Sequence, residues 1–394
     1  MIVTSLLLVW CMTYAHAETL TDLTETNATV TGVVEPAGMW RQARRRSTLE
    51  DTCITTSGIT GTCLSRFKCM RQSGTVNGYC GTYGVCCETN MQSGSSTRQK
   101  RTIIKNPAAL TGDLSTYTIE AFSVNVQQLR IDFEQFELQQ PILTDSMLEC
   151  QDYFEAGGFK LCGVNTGQHI YLPFNVAAGI EQVTLTFAVP TRWTGTNWRL
   201  IVTQLEGPAA STKRRSSAAS SFAGSTNTLQ DLRSIFASHH ADYELLAPAG
   251  CQQYYTELTG TIRSFNYQAM IGSNYMPDLN YNICIKSVAS ASMIEYAFSK
   301  FSTAMQIGDT EGYDEFCRAT VHTTGRQEDY LMIPQGILAK NTAYQPTYYC
   351  GTNDNLLVYA SPPYLMHFSS DEMTLDEAVE TGFSLTYRLR TSIL

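Results

Sequence analysis

Residues that could catalyse a reaction are few in this sequence and form no catalytic pattern. The chain contains no His-Glu-x-x-His segment for a zinc protease, no Gly-x-Ser-x-Gly turn for a serine hydrolase and no glycine-rich phosphate loop. His239 and His240, with Asp242 close by, are the best zinc candidates, but the surrounding residues offer no third convergent ligand. The sequence therefore predicts no catalytic residues, no cofactor and a protein that is not an enzyme.

Cysteine is the residue type whose spacing is most informative. The opening segment, MIVTSLLLVWCMTYAHA, combines an apolar run with an Ala-x-Ala pattern, which predicts a signal peptide cleaved after Ala17. Its removal leaves twelve cysteines, an even number that favours disulfides in a secreted protein over a zinc cluster. We expect all of them to be bonded: Cys53, Cys63, Cys69, Cys80, Cys86, Cys87, Cys150, Cys162, Cys251, Cys284, Cys317 and Cys350.

Basic runs flank the first six cysteines. RQARRR ends at Arg46, and RQKR ends at Arg101 within a stretch rich in Ser, Gly and Gln. The second run fits the Arg-x-Lys/Arg-Arg preference of secretory convertases, which predicts cleavage after Arg101 in an exposed linker and release of the preceding module. The first run fits more loosely, and the alternative for both is a solvated charge cluster. Asn27 begins the usable glycosylation sequon.

The overall composition excludes several classes of protein. Hydrophobic residues make up 43% of the 394 residues and charged residues 16%, which predicts folded domains and not a broadly disordered chain. Residues 102–394 carry twelve more acidic than basic side chains, so nucleic acid is not the expected partner. After the opening segment no apolar run is long enough to span a bilayer, so we do not expect a membrane-embedded protein.

The residues from Tyr117 onward alternate between apolar and polar types. Segments such as LRIDFEQFEL and VTLTFAV form a first series of predicted strands, and segments such as IEYAFSKFS and GFSLTYRLR form a second. A flexible linker is expected over 207–227, followed by a short helix that places Leu229, Leu232 and Phe236 on one side. Half-buried strands of this kind predict pairs of antiparallel sheets packed face to face.

The second series resembles a CUB domain. The resemblance is carried by Cys251 with GTIRSFNY, by LNYNICIK with Cys284, by the YCG segment and by the closing GFSLTYRL. The first series matches only in part, through RIDFEQFEL, Cys150 with Asp152 and LCG, and lacks the first cysteine pair. The cysteine-rich segment resembles the clip-like module of arthropods, which ends in adjacent cysteines. The chain as a whole resembles arthropod secreted CUB-domain proteins.

This resemblance implies an all-β fold. Two CUB-like antiparallel β-sandwich domains, the first degenerate, would follow a small disulfide-rich clip-like module. The expected boundaries are a signal peptide at 1–17, a propeptide-like segment at 18–52, the clip-like module at 53–90, a basic linker at 91–106, the degenerate CUB-like domain at 107–206, a linker with a short helix at 207–247 and the CUB domain at 248–394.

The resemblance also implies a disulfide pairing, since spacing alone leaves fifteen arrangements for each set of six cysteines. The implied pairs are Cys53 with Cys86, Cys63 with Cys80, Cys69 with Cys87, Cys150 with Cys162, Cys251 with Cys284, and Cys317 with Cys350.

Calcium is a further implication, because many CUB domains bind it through three acidic residues around the third cysteine and in a late loop. Asp145 and Asp152 match the first two positions in the first region. In the second region Glu311, Asp314 or Glu315 matches the first position, and Asp371 matches the late one. Each region lacks one acidic residue of the three. The sequence therefore favours solvated loop carboxylates, with calcium as the alternative.

These features predict a secreted, extracellular protein that binds other proteins or glycans through its CUB domains. Loop tyrosines such as Tyr254 and Tyr255 are candidate contact residues, although core packing explains them equally well. A regulator or cofactor of an extracellular serine-protease cascade is one alternative, and a component of extracellular matrix or cuticle is another.

Overall fold

The fold is described from a computed structural model. The structure describes residues 52–56, 60–71, 74–107, 112–144, 147–207, 241–268, 273–303, 311–317, 329–371 and 380–391. Several sequence predictions lie outside these residues: the signal peptide with Ala17, the sequon at Asn27, the cleavage residue Arg46, the calcium candidate Asp145, the pair His239 and His240, and the helix with Leu229, Leu232 and Phe236.

The first structured part is a small cysteine-rich module. Its elements are β1 (Thr52–Ile54), β2 (Thr60–Leu64), α1 (Arg66–Arg71), β3 (Thr75–Cys80) and β4 (Gly84–Glu88). The strands form one antiparallel sheet in the order β1-β2-β4-β3. Its buried apolar cluster consists of Cys69, Val85 and Cys87. A core this small cannot stabilise a fold alone, so the disulfides must hold it together.

The first β-sandwich follows directly. Its elements are β5 (Ser95–Thr97), β6 (Arg101–Lys105), β7 (Leu114–Glu120), β8 (Val126–Glu137), β9 (Ile142–Thr144), β10 (Met147–Glu149), β11 (Tyr153–Ala156), β12 (Phe159–Leu161), β13 (His169–Pro173), a 3-10 turn at Val176–Ala178, β14 (Gln182–Ala188) and β15 (Asn197–Glu206). One sheet has the order β12-β11-β14-β7-β5 and the other β13-β8-β15-β6, and β9 pairs with β10 as a separate hairpin. Trp198 lies fully buried between the sheets, where it stacks on Phe187 at 4.1 Å.

The second β-sandwich begins after a short helix. Its elements are α2 (Ala241–Leu245), β16 (Gln253–Tyr255), β17 (Thr259–Arg263), β18 (Asn280–Ile285), β19 (Met293–Ser302), β20 (Glu311–Tyr313), a 3-10 turn at Asp314–Phe316, β21 (Tyr330–Met332), β22 (Ile337–Leu338), β23 (Tyr348–Gly351), β24 (Leu357–Ala360), β25 (Leu365–Ser369) and β26 (Gly382–Arg390). The two sheets have the orders β16-β18-β25-β21-β23-β20 and β17-β26-β19-β24-β22.

The predicted all-β fold with two sandwiches after a disulfide-rich module is confirmed. The pairing is antiparallel with two exceptions among the described strands, because β5 pairs parallel to β7 and β16 parallel to β18. Most strands of the two predicted series form close to the expected bounds, as β19 and β26 illustrate. The alternating pattern predicted them because one face of each strand enters a core.

The predicted linker over 91–106 differs from the structure. This stretch contains β5 and β6, and both Ile103 and Ile104 are buried in the first sandwich. The first sandwich therefore starts before residue 107. The polar and basic composition misled the prediction, because edge strands commonly carry Ser, Thr, Lys and Arg toward solvent while a few apolar residues face the core.

Candidate functional site

The twelve cysteines of the described chain form six disulfides. The bonded pairs are Cys53–Cys86, Cys63–Cys80, Cys69–Cys87, Cys150–Cys162, Cys251–Cys284 and Cys317–Cys350, the pairs that the CUB and clip-like resemblances imply. The cysteine-rich module has three of these disulfides, the first sandwich has one and the second sandwich has two, so each structured part has its own covalent links.

Asp152, the described calcium candidate of the first sandwich, has a structural role. It is fully buried, and its carboxylate accepts hydrogen bonds from the backbone N–H of Thr191 at 3.0 Å and from the Thr191 hydroxyl at 2.5 Å. Both oxygens therefore hold the loop that follows β14. This use explains a buried acid without a metal ion.

Glu315 and Asp371, calcium candidates of the second sandwich, follow different strands. Glu315 is exposed in the 3-10 turn before Cys317. The neighbouring Asp314 instead accepts the backbone N–H of Thr347 at 2.7 Å and anchors the start of β23. Asp371 lies elsewhere, directly after β25, where its backbone N–H donates to Asp329 Oδ1 at 2.8 Å. Glu315 and Asp371 thus belong to different loops, and calcium binding in the second sandwich stays a prediction.

A buried acidic cluster that the sequence analysis missed surrounds Asp329. The Tyr275 hydroxyl donates to Asp329 Oδ2 and lies 3.2 Å from Glu380 Oε2, and all three side chains are buried. Burial, reinforced by the nearby charge of Asp371, raises the pKa of Asp329 well above its usual range. We call Tyr275, Asp329, Asp371 and Glu380 the acidic cluster.

The acidic cluster can be compared with two kinds of site, a calcium site and a buried carboxyl that keeps its proton. Its carboxylate oxygens are the donor type that calcium prefers. However, no group of three or more His, Cys, Asp or Glu side chains in the described ranges is arranged to hold a metal ion. A buried carboxyl next to other acids is stabilised when it keeps its proton and hydrogen-bonds its neighbours.

The two sandwiches meet in an interface that we call the domain seam. Strands β12 and β13 and the loop between them form one side, and β16, β18 and the loop after β17 form the other. Asn266 is its central polar residue. Its backbone N–H donates to Asn165 Oδ1 at 2.8 Å, and its side-chain oxygen accepts the backbone N–H of Val164 at 2.8 Å. Gly163 precedes Val164 with a φ of +64°, and any Cβ there would collide with Asn266. The close approach therefore requires glycine.

Apolar packing and backbone pairing extend the domain seam. Phe159 of the first sandwich lies 6.0 Å from Phe265 and 6.3 Å from Tyr281 of the second, measured between ring centroids. The backbone N–H of Tyr171 donates to the carbonyl of Gln252 at 2.7 Å. A single buried apolar cluster consequently runs through both sandwiches.

His169 is the titratable group at the centre of the domain seam. Its Nε2 accepts the backbone N–H of Tyr254 at 3.1 Å, so this nitrogen must be unprotonated in the folded chain. Burial, with a further contribution from the positive charge of Arg130, lowers the pKa of His169 to about 4, although Asp132 opposes this shift. The histidine is therefore part of the domain seam.

The aromatic residues proposed as contact residues are part of the core. Tyr254 is buried, and Tyr255 packs against His169 with ring centroids 5.0 Å apart. Of the two tryptophans near the β14–β15 turn, Trp198 is buried and Trp193 is 39% exposed. The core explanation that the sequence left open therefore applies to the tyrosines.

Arg101 is the described processing residue, and it begins strand β6. It pairs with Thr203 of β15, and the backbone N–H of Gln204 donates to the carbonyl of Lys100 at 2.8 Å. The Lys100 ammonium lies 2.8 Å from Asp242 and 3.3 Å from Glu206. This segment is therefore a bonded strand and not the exposed linker that the sequence predicted.

Comparison with protein families identifies the second sandwich. Residues 248–390 match the family model described as animal CUB domain, which places a CUB domain over β16 to β26. A search of curated proteins finds no match to the chain. None of the helices within the described ranges has the length and apolar character needed to cross a membrane.

Solved structures that resemble the chain include tandem CUB proteins. The CUB1-EGF-CUB2 domains of rat MASP-1 align with 13% identity and a TM-score of 0.23, covering 75% of this chain and 99% of the other. The corresponding domains of human MASP-1/3 align with 14% identity and a TM-score of 0.22, covering 74% and 100%.

Proposed function

We propose that this chain is a non-enzymatic extracellular protein that binds other proteins, with the two sandwiches acting as one binding unit. The observation that carries the proposal is the CUB match of the second sandwich, because CUB domains are extracellular interaction domains. The domain seam supports the second half of the proposal. Its hydrogen bonds and aromatic contacts hold the two sandwiches in one orientation, so a partner meets a continuous surface.

The finer features of the proposal concern secretion and the amino-terminal module. A signal peptide ending at Ala17, glycosylation at Asn27 and cleavage after Arg46 would be consistent with an extracellular protein rich in disulfides. The clip-like spacing of Cys53 to Cys87 supports a second candidate, a regulator of an extracellular serine-protease cascade. Glycan binding and a matrix role are the remaining candidates.

Partner capture tests this proposal and separates the candidates. The secreted full chain would be immobilised and incubated with extracellular fluid of its source, and bound proteins would be identified by mass spectrometry. Chain that has been reduced, alkylated and unfolded is the control for non-specific capture. Each specific partner would then be purified and its affinity for the folded chain measured.

The outcomes are distinct. Saturable binding of a soluble extracellular protein supports the proposal, and selective binding of serine proteases or their zymogens identifies the cascade candidate. Binding that disappears when glycans are removed enzymatically from the partner indicates a glycan ligand. Reproducible hydrolase activity of the purified chain would contradict the non-enzymatic proposal.

A further inference from the structure

The short helix of the cysteine-rich module exposes side chains that a folded protein normally buries. Phe67 and Met70 of α1 are 73% and 65% exposed, and the basic residues Arg66, Lys68 and Arg71 are exposed around them. We call these five residues the basic-apolar face. Its two large apolar side chains contribute little to the core of the module, which leaves their position on the surface to be explained.

The module holds this face in a fixed orientation. Ser65 Oγ accepts the backbone N–H of Lys68 at 3.3 Å at the start of the helix. In the following turn, Cys69 is completely buried and bonded to Cys87 of β4. Gly74 closes the segment after the helix by donating its N–H to the carbonyl of Cys69 at 2.9 Å. The helix therefore cannot rotate to bury Phe67.

Helix geometry determines how the exposed residues are arranged. Successive residues turn by about 100° in an α-helix, so the direction opposite the buried Cys69 lies between Phe67 and Arg71. Met70 and Arg66 lie to one side of this direction and Lys68 to the other. Apolar side chains thus occupy the outermost part of the helix together with cations, as on helices that bind at a membrane surface.

The charges of the module are unbalanced. Residues 52–87 contain no Asp or Glu, and Arg66, Lys68 and Arg71 form no ion pair within the described residues. The first acid after them, Glu88, is buried and lies 3.2 Å from Arg199 and 3.4 Å from Lys105 of the first sandwich. The cations of the face are therefore available to an anionic partner.

We infer that the basic-apolar face binds an anionic phospholipid surface. A sulfated glycan would satisfy the three cations but would leave Phe67 and Met70 in water. Both kinds of side chain interact favourably with a membrane surface. The cations approach the charged headgroups, and the apolar side chains enter the boundary with the acyl chains. A single short helix of this kind gives reversible and salt-sensitive association, with the cysteine-rich module at the membrane and the CUB domain in solution.

Vesicle co-sedimentation of the secreted full chain tests this inference. The probes are vesicles of equal parts phosphatidylserine and phosphatidylcholine, with vesicles of phosphatidylcholine alone for comparison. We expect binding to the anionic vesicles that weakens as salt rises. The double variant Phe67→Ser/Arg71→Glu should bind on the order of tenfold more weakly, because it removes one apolar contact and reverses one charge.

A control variant far from the module also replaces one exposed apolar side chain by Ser and reverses one positive charge. Val124, which is 77% exposed on the first sandwich, is replaced by Ser, and the exposed Arg263 of β17 is replaced by Glu. This control should bind like wild type. Intact disulfides, measured by free-thiol labelling, would show that each variant is folded, and Arg66→Gln/Lys68→Gln provides a second variant if the first is not.

Three results would overturn the inference. These are equal binding to both kinds of vesicle, binding by the Phe67→Ser/Arg71→Glu variant that matches wild type, and retention on immobilised heparin without vesicle binding. The last result would assign the face to a sulfated glycan.

Discussion

The carboxyl group of Asp329 is buried, and this burial, reinforced by the charges of Asp371 and Glu380, raises its pKa well above the usual range. A folded pKa raised above the ordinary 3.8 means that folding binds a proton, so this group's contribution to stability is lost as pH rises through the folded pKa. Asp329→Asn removes the titration, and its one oxygen can accept from the Tyr275 hydroxyl or from the Asp371 N–H, but cannot replace both acceptors.

We therefore expect the Asp329→Asn variant to gain unfolding free energy relative to wild type as pH rises. The gain should be about 1.4 kcal/mol for each pH unit between the ordinary and the folded pKa. Denaturant unfolding of both chains from about pH 4 to pH 7 measures it. Phe154→Leu in the core of the first sandwich serves as a control whose cost should not follow this pH dependence.

The same variant also shows whether the acidic cluster binds calcium, which would contradict a role for Asp329 as a proton-binding group. If Asp329→Asn lowers the unfolding temperature in calcium and a chelator abolishes the difference, the acidic cluster holds a cation. The arrangement of Tyr275 between two carboxylates would then describe only the cation-free state.

His169 gives a second pH dependence, of opposite sign. Its pKa is about 4 in the folded chain and 6.5 ordinarily, so unfolding takes up a proton and stability falls as pH drops through this window. The loss should approach about 3 kcal/mol near the lower limit. His169→Gln keeps an acceptor for the Tyr254 N–H without titrating, and comparison of the two unfolding curves isolates the histidine. A constant difference between the curves would contradict the seam role of His169.

At the residue scale, the disulfide pairs could be predicted only through the CUB and clip-like resemblances, because spacing alone leaves fifteen arrangements for each set of six cysteines. Contacts between residues that are distant in sequence were missed. The acidic cluster around Asp329 is such a case, since Tyr275, Asp371 and Glu380 are distant from it in sequence. An acid directly before a strand of alternating apolar residues was the only signal.

Strand β6 contains the end of a sequence motif for protease cleavage, and its pairing in the sheet determines whether a protease can reach that motif. The basic run ending at Arg101 has the residues of a convertase site, but a protease needs an extended segment free of other partners. Here Arg101 pairs with Thr203, and Lys100 is held by Asp242 and Glu206. We therefore expect the folded chain to resist cleavage at this site.

Incubation with a purified convertase checks this expectation, with the products sequenced from their amino termini. The reduced and unfolded chain should yield a fragment that begins at Thr102, and Arg101→Ala should abolish it. Any cleaved chain that refolds should keep its module attached, because Met91 donates its N–H to the carbonyl of Ile103 at 3.1 Å across the cut. Rapid cleavage of the folded chain with release of the module would contradict this account.

The domain seam depends on Gly163, which has both a positive φ and a close contact with Asn266. The effects of these two features on stability can be measured separately. Gly163 has a φ of +64° and contacts Asn266, whereas Gly179 has a φ of +84° and no neighbour within 4 Å of a Cβ. Alanine at Gly179 should cost about 1 kcal/mol through backbone strain alone. Alanine at Gly163 should cost about 1–3 kcal/mol more, because the seam must also move apart. Equal losses in denaturant unfolding would show that the seam contact is unimportant.

Alternation predicted long central strands well, because a strand with one buried face repeats every two residues. β19 and β26 are examples. It failed for β5, β6 and β16, which lie at sheet edges or are short, so few of their side chains enter a core. Parallel pairing of β5 with β7 has no local signal at all, since it is decided by distant partners.

At the scale of the whole molecule, the two sandwiches share one buried apolar cluster. Sequence reasoning treated them as separate domains joined by a linker, because Asn266 and Gly163 meet only after both have folded. One sandwich resembles CUB domains more closely than the other does. The domain seam joins the two so that they present one surface. The proposed binding function depends on that surface more than on any single residue.

The most direct test of this claim is the affinity of a captured protein partner for three chains: wild type, Gly163→Ala and Gly179→Ala. We predict that Gly179→Ala binds as wild type does and that Gly163→Ala, although folded, binds on the order of tenfold more weakly, because the two halves of the surface no longer hold their orientation. Equal affinity of all three chains would contradict the account and assign binding to one sandwich alone.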